Sequence, residues 1–588
     1  MNLKRPLTLI CILLAIGILF GTTSLLTKEE LCVESIDKEY MFDGCTSVLV
    51  GKNASIDGST MTTHTCDCGI CDWTWRHVPA ADYKPEEMRK IYHISQYITK
   101  PPEKGLKWDT YTENYAGVEI PQVANTYAYH HGMFGYMNEH QLAIGESTIG
   151  CRRKMRNPTP SATFDITTLT LVAMERCKTA REAIKLMGTL GEKYGYGFYD
   201  HGEMLAVADP DEVWIFEIMP VGPLWTQKSG KPGAIWCAQR VPDDHVSVCP
   251  NESRIGEIDL NNPDYFMASP NVISYAIENE YYDPKSGEPF NWKKAYSPTE
   301  ASAASSGGSR ARLWRFFDLV APSRNFSPET PNMDFPFSVK PDKKLSIQDV
   351  INITRDKYQG TPFDTGAGLI GGPFSNPNYR PRPLKVDDET YNTPRSIGVN
   401  AVEYTTITQC RGWLPDPIGG IVWIAFGAQD TSCYMPFYAG VTELPASFAV
   451  GDHWVLNRQS ARWAFDYVDF HTLVAYSYAI KDVQEAQEKW EASAINRRPL
   501  IDKIATELYQ KDSSKAAQFL TDYCMNNANQ VVEAWWNLGD NLLVKYNHLR
   551  IYDTKTRKSL NLSYPEWWMK EIVKYHKLKP QKKAEKTP

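Results

Sequence analysis

The chain has 588 residues, a formal net charge of −7, 42% hydrophobic residues and 23% charged residues. That composition is globular rather than disordered, and the mild acidity leaves no basic footprint, which argues against nucleic acid as a partner. The length exceeds one ordinary core and implies two lobes, or one domain with a large extension. In chain order, residues 1–26 come first. Lys4 and Arg5 precede an apolar run from Leu7 to Phe20, the pattern of an export signal. The run is short for a spanning helix, so a cleaved signal is expected, with a retained N-terminal anchor as the alternative. Residues 27–44 then form a short pro-segment. The expected location is periplasmic or extracellular, with no stable membrane span once the signal is gone.

Residues 45–67 read CTSVLVGKNASIDGSTMTTHTCD. Two β-rich runs, Cys45–Gly51 and Ser59–Thr65, flank a loop ending in Asp57-Gly58, a hairpin signal because glycine accepts positive φ. Folding about Ser55 pairs residues whose numbers sum to roughly 110, within a residue or two of register. Cys45 then lies near Thr65, with His64 and Asp67 beside it. A free thiol is only slightly ionised at neutral pH. An α-amine, with a reference pKa of about 7.7–8.0, is a much better base there than a lysine. Thiol and amine on one residue need no second element to bring them together. The bland alternative is a buried strand cysteine.

The stretch CTSVLVGKNASIDGSTM resembles the start of the mature C69-type dipeptidases. These are N-terminal-nucleophile (Ntn) hydrolases, related more distantly to penicillin V acylase and conjugated bile acid hydrolases. The resemblance implies cleavage after Gly44, with Cys45 as nucleophile and its own amine as base. Many relatives carry Arg-x-x-Asp in the pattern ARxxD. Here His64 holds the arginine position and Asp67 is retained. Histidine is only partly charged near neutrality, so a more pH-dependent activity is expected.

Thirteen cysteines are present. Cys11 and Cys32 leave with the leader, and ten besides Cys45 are open to disulfide formation in an oxidising compartment. Cys66, Cys68 and Cys71 form a dense C-x-C-x-x-C cluster, for which disulfides, free thiols and a metal stay open. The cluster lacks a fourth ligand or second paired motif, and the chain has no H-E-x-x-H. No metal and no cofactor are expected.

Residues 73–118, aromatic and irregular, read as an elaborated loop. Thr126–Tyr129 and Leu142–Ser147 read as strands around a turn at Asn138-Glu139. AIGEST within them resembles the family block NEhxLAIGET, which implies substrate-side roles for Glu146 and Thr148 near the nucleophile; a plain hairpin is the alternative. Phe164–Cys177 and Thr179–Tyr194 read as helices, the second with apolar residues at helical spacing after Thr179. Met204–Ala208, Val213–Ile218 and the extended segments of Ile235–Val248 read as strands. Asn251, in CPNESRI, matches the family asparagine that donates to a developing oxyanion. It also opens an N-x-S sequon, and a glycan there is incompatible with an active-site role.

Ser305–Arg315, SSGGSRARLWR, resembles the S-R-x-x-R segment that places an arginine beside the nucleophile in bile acid hydrolases, with Arg310 as the matching position. A guanidinium there lowers a thiol pKa. Residues 322–398 read as long loops with one helical patch at Ser346–Tyr358. Tyr404–Gly440 again looks like the C69 family and reads as strands, with Arg411 either functional or, as favoured, anchoring a turn. From Asn457 the pattern becomes helical, at roughly 459–493, 498–510, 513–527 and 529–547.

The resemblance covers most of 45–480. It implies an α+β fold, the αββα four-layer Ntn-hydrolase sandwich, with a helical C-terminal extension. The expected domains are a catalytic domain at 45–456, a helical part at 457–573 and a basic tail at 574–588. The implied activity is dipeptide hydrolysis by an exported cysteine peptidase, with Cys45, Asp67, Asn251, Arg310 and His64 as catalytic residues. An Ntn amidase acting on N-acyl amino acids or bile acid conjugates is the first alternative. A non-catalytic secreted binding protein on the same fold is the second. The expected partner is a dipeptide or small amide, and a homo-oligomer stays open.

Overall fold

A computed structural model describes residues 44–93, 115–156, 162–197, 201–298, 308–379, 384–391, 393 and 395–581. The expected signal and pro-segment, and residues 582–588 of the expected tail, lie outside them. The described residues belong to one compact unit, Gly44–Pro588.

Fourteen strands build two antiparallel sheets. In chain order they are β1 (Ser47–Val50), β2 (Thr60–Thr65), β3 (Arg76–Val78), β4 (Tyr129–His131), β5 (Tyr136–Asn138), β6 (Ala143–Ile149) and β7 (Gly202–Ala208). There follow β8 (Val213–Met219), β9 (Ile235–Val241), β10 (Val246–Cys249), β11 (Phe266–Ala268), β12 (Tyr404–Cys410), β13 (Ile421–Phe426) and β14 (Met435–Tyr438). One sheet runs β10-β1-β2-β12-β13-β14, and the other runs β11-β9-β8-β7-β6-β5-β4-β3. Every residue of β1, β2, β7 and β8 is buried. Such strands are covered on both faces, and they read as continuous apolar or threonine-rich runs rather than as alternation.

The longer helices are α1 (Ile166–Arg176), α2 (Ala180–Tyr194), α3 (Gly308–Val320), α4 (Ile347–Thr354), α5 (Ala461–Thr472), α6 (Tyr476–Lys511), α7 (Ser513–Lys545) and α8 (Glu566–Tyr575). Thr179 caps α2 in a capping box with Glu182, which satisfies two otherwise unpaired backbone donors. α2 packs on β7, β8 and β9, with α1 beside it. α5 packs on β13, and α6 and α7 on β14. None of the described helices is long and apolar enough to cross a membrane.

Several boundaries differ from expectation. The stretch 73–118 is not loop throughout, since it supplies β3 at a sheet edge and a hairpin from Met88–Tyr92 and Tyr115–Pro121. The expected helix break before residue 498 is absent, and Pro499 sits inside α6. Tertiary contacts hold that segment, with Arg498 pairing Asp57 and Asp502 pairing the buried Arg411. The break falls instead between Thr472 and Tyr476, where no breaker residue stands. Asp512 caps the next helix, and the two expected helices over 513–547 are one.

The sheets meet where β2 lies against β6 and β7. At Gly145 on β6 a Cβ would come within 2.6 Å of the Thr63 carbonyl oxygen. Only glycine allows that approach, and it brings His64 and Glu146, the two flanking residues, onto one spot. Gly145→Ala is expected to cost about 1–3 kcal/mol through overpacking. Gly69→Ala, whose Cβ would meet nothing within 4 Å, should stay within about 0.5 kcal/mol. Thermal unfolding of the two variants followed by near-ultraviolet circular dichroism checks the contrast.

Candidate active site

β1 and β2 pair through Leu49–Thr62 and Val50–Met61, one residue from the register read in the sequence. Toward Cys45 the strands splay. There the Thr46 amide donates to Thr65 Oγ1 at 2.8 Å and the Val48 amide to Thr63 Oγ1 at 2.9 Å. Threonine hydroxyls thus stand in for ladder carbonyls, and they hold open the end of the hairpin where Cys45 sits.

The Gly44–Cys45 peptide is gripped from three sides. Arg395 Nη2 donates to the Gly44 carbonyl at 2.5 Å and also pairs with Asp67 Oδ2. Arg312 Nη1 donates to the Cys45 carbonyl at 2.9 Å and to Thr46 Oγ1 at 2.8 Å. Arg312 Nη2 donates to the Pro250 carbonyl at 2.9 Å and to Asn251 Oδ1 at 3.0 Å. Gly44 has φ +74°, and a Cβ there would come 2.3 Å from Asn251 Oδ1. Both the backbone conformation and the space therefore demand glycine before Cys45.

Cys45, His64 and Glu146 converge, each buried, with their ligand-bearing atoms within 4.8 Å of one another. Burial pushes the Cys45 thiol well above its ordinary value, and the Glu146 carboxyl beside it adds to the shift. His64 Nδ1 lies 2.9 Å from the Glu146 backbone carbonyl, and the ring is 5.8 Å from Phe134 and 5.9 Å from Tyr404, centroid to centroid. Burial pulls His64 down to about 4, so the ring is neutral at physiological pH. This corrects the expectation of a partly charged histidine, because exclusion of water disfavours the imidazolium.

Asp67 is tied in by Thr65 Oγ1, which donates to its Oδ2 at 2.9 Å, and by Arg395. Burial outweighs those partners and pushes Asp67 up to about 6. Thr148 Oγ1 donates to Glu146 Oε1 at 2.9 Å, so Thr148 orients Glu146. Glu203 on β7 stands opposite Thr148 in register. Burial raises both Glu146 and Glu203, and the two carboxyls raise Glu203 further by facing each other.

Asn251 adopts φ +62°, a left-handed conformation that asparagine tolerates. Its Nδ2 donates to the Thr148 carbonyl at 2.9 Å and approaches Ser147 Oγ at 3.4 Å. It is only 4% exposed, so the burial is incompatible with a glycan at this sequon.

Arg310 requires correction. It is partly exposed and reaches Glu329 at 3.6 Å, whereas Arg312, one turn position inward on α3, meets Cys45. The signal was in the spacing: Arg312 and Arg315 stand three apart as R-x-x-R requires, and the residue three after Arg310 is Leu313. In the cysteine cluster Cys68 and Cys71 form a disulfide and Cys66 stays a buried thiol. Cys177, Cys237, Cys249, Cys410, Cys433 and Cys524 are buried thiols outside any disulfide. Sequence reasoning missed Arg395 and Glu203. Arg395 stands in a Pro-rich stretch with no pattern around it, while Glu203 was detectable as a lone acid entering the apolar run of β7.

The chain matches the family model described as peptidase family C69 over residues 44–489. It is 25% identical to a probable dipeptidase of Latilactobacillus sakei over 498 residues, which is 81% of this chain and 90% of that protein. Against Dipeptidase A of Lactobacillus helveticus it is 27% identical, covering 70% of this chain and 79% of that one. Against a dipeptidase of Bifidobacterium longum the identity is 28%, with 68% and 72% covered. Among solved structures, penicillin V acylase from Agrobacterium tumefaciens aligns over 67% of this chain and 86% of its own at 10% identity, with a TM-score of 0.28. A likeness that low carries no argument.

Two predictions follow from the geometry. Arg312→Ala strands several buried acceptors and leaves a cavity, and should destabilise by about 3 kcal/mol or more, while Arg310→Ala stays within about 0.5 kcal/mol; denaturant midpoints separate them. A histidine held neutral binds its proton less readily when folded. The stability that His64 contributes is therefore present above pH 6.5 and lost as pH falls from 6.5 to about 4. His64→Gln should lose less stability than wild type across that window, measured by denaturant midpoint against pH.

Proposed function

Since the chain belongs to peptidase family C69, we propose that it hydrolyses dipeptides with Cys45 as an N-terminal nucleophile, freed by cleavage after Gly44. One observation carries the reading. The Gly44–Cys45 bond is itself an amide seated at the thiol, with Arg395 on its carbonyl, Arg312 on the carbonyl of the following peptide, and a glycine that nothing larger can replace. The family match also opens at Gly44. Two facing antiparallel sheets with helices on the outer side of each support the αββα sandwich.

Cleavage converts the Cys45 amide nitrogen into an α-amine, a base with a reference pKa of about 7.7–8.0. The amine takes the thiol proton, which the buried carboxyls otherwise hold in place. The thiolate attacks the substrate carbonyl, and backbone N–H groups and Asn251 steady the oxyanion. Asn251 must exchange its bond to Thr148 for that role. The protonated amine then gives its proton to the leaving amine, and water hydrolyses the thioester. Arg312 holds the strand end while this happens. With Gly44 gone, Arg395 and Asp67 face the space it filled, where they can meet a charged substrate terminus. Residues 1–26 support export to a periplasmic or extracellular location.

The purified protein is expected to begin at Cys45 and to hydrolyse dipeptides, and Cys45→Ala to have no measurable activity. Gly44→Ala should accumulate uncut chain. Amino-terminal sequencing and a dipeptide panel check this. A wild-type protein that keeps the Gly44–Cys45 bond would remove the amine-base mechanism. Turnover of N-acyl amino acids or bile acid conjugates with none of dipeptides would turn the reading to an Ntn amidase.

A further inference from the structure

We infer that Cys45, His64 and Glu146 form a zinc site, and that a bound zinc ion holds the peptidase reversibly inactive. Cys45 stands just before β1, His64 near the end of β2 and Glu146 in the middle of β6 on the other sheet, and their donor atoms all lie within 4.8 Å of one another. Thiolate sulfur, imidazole nitrogen and carboxylate oxygen are the ligands tetrahedral zinc accepts.

Two buried atoms at this place make no hydrogen bond. His64 Nδ1 faces the Glu146 backbone carbonyl. That oxygen only accepts, so Nδ1 carries the proton and Nε2 the lone pair. Nε2 is buried with no hydrogen-bonding partner. An imidazole oriented by an N–H on a carbonyl, with its other nitrogen free, is the arrangement metal-binding histidines use. Glu146 repeats the pattern. Its Oε1 accepts from Thr148, and its Oε2 is buried without a hydrogen bond, 3.8 Å from His64 Nδ1. Glu203, opposite Thr148 in register, adds a second carboxyl nearby.

The fourth position rests on the reading above. Once Gly44 is removed, the α-amine of Cys45 lies on the same residue as the thiolate, and the two close a five-membered chelate ring. Binding releases the thiol proton to solvent as the Zn–S bond forms, and the nucleophile is then unavailable. The departure of this chain from the ARxxD pattern gains a consequence, since a guanidinium has no lone pair to offer at position 64.

The test uses the mature protein, stripped with a chelator and dialysed, then titrated with Zn²⁺ by calorimetry and with Co²⁺ by absorption. About one equivalent of zinc should bind, and cobalt should give a near-ultraviolet thiolate-to-metal band. Dipeptide hydrolysis should fall in step with occupancy and return on chelation. His64→Arg should bind zinc at least about 100-fold more weakly, beyond what loss of an outer partner costs. Wild-type protein alkylated at Cys45 should lose binding as well, which reads the site without relying on a variant that folds. Zinc bound equally by the alkylated protein, or no bound equivalent in an enzyme that hydrolyses dipeptides, would overturn the site. Stoichiometric zinc with the cobalt band, in a protein that hydrolyses no dipeptide, would sink the proposed activity and leave the site standing.

Discussion

One buried guanidinium organises the end of the chain that matters most. Arg312 is 2% exposed and spends its nitrogens on the Cys45 and Pro250 carbonyls, Thr46 Oγ1, Asn251 Oδ1 and, through Nε, the Gly308 carbonyl at 3.2 Å. It therefore joins the start of β1, the turn after β10 and the first turn of α3. A planar five-donor group is suited to this because its geometry is set before it binds, and a lysine has neither the reach nor the directions. Burial and the neighbouring Arg395 pull it down to about 9, and it remains charged at neutral pH.

Around that anchor the site keeps charge off the thiol. Cys45 and Cys66 are both pushed up by burial, and Glu146 and Asp67 press in the same direction. His64 is neutral and cannot serve as a counter-charge. The cations present are spent on carbonyls and on Asp67 rather than on the sulfur. On the proposed mechanism an uncut chain is a poor nucleophile, and the amine that cleavage would expose is the group that changes the balance.

Local patterns made a good part of the site legible. The Asp-Gly turn and the β-rich runs placed Cys45 opposite Thr65 to within one residue, and AIGEST placed Glu146 near the thiol. The S-R match put the arginine at Arg310, two positions early, while the R-x-x-R spacing pointed to Arg312. Arg395 was beyond reach: it meets Gly44 across 351 residues of sequence, and nothing around it signals a buried partner.

By itself the sequence determined the kinds of element, the threonine-rich hairpin, the glycine before Cys45 and the set of cysteine, histidine and acids, because strand and turn propensities act over a few residues. Tertiary structure decided which charges those groups carry. His64 is neutral and the carboxyls hold their protons more tightly because the sheets exclude water where β2 meets β6, and desolvation is a property of everything packed around a group. It also decided which arginines count, since a guanidinium selects its partners by position in space, and α3 and the segment at Arg395 reach Cys45 only when the two sheets have closed.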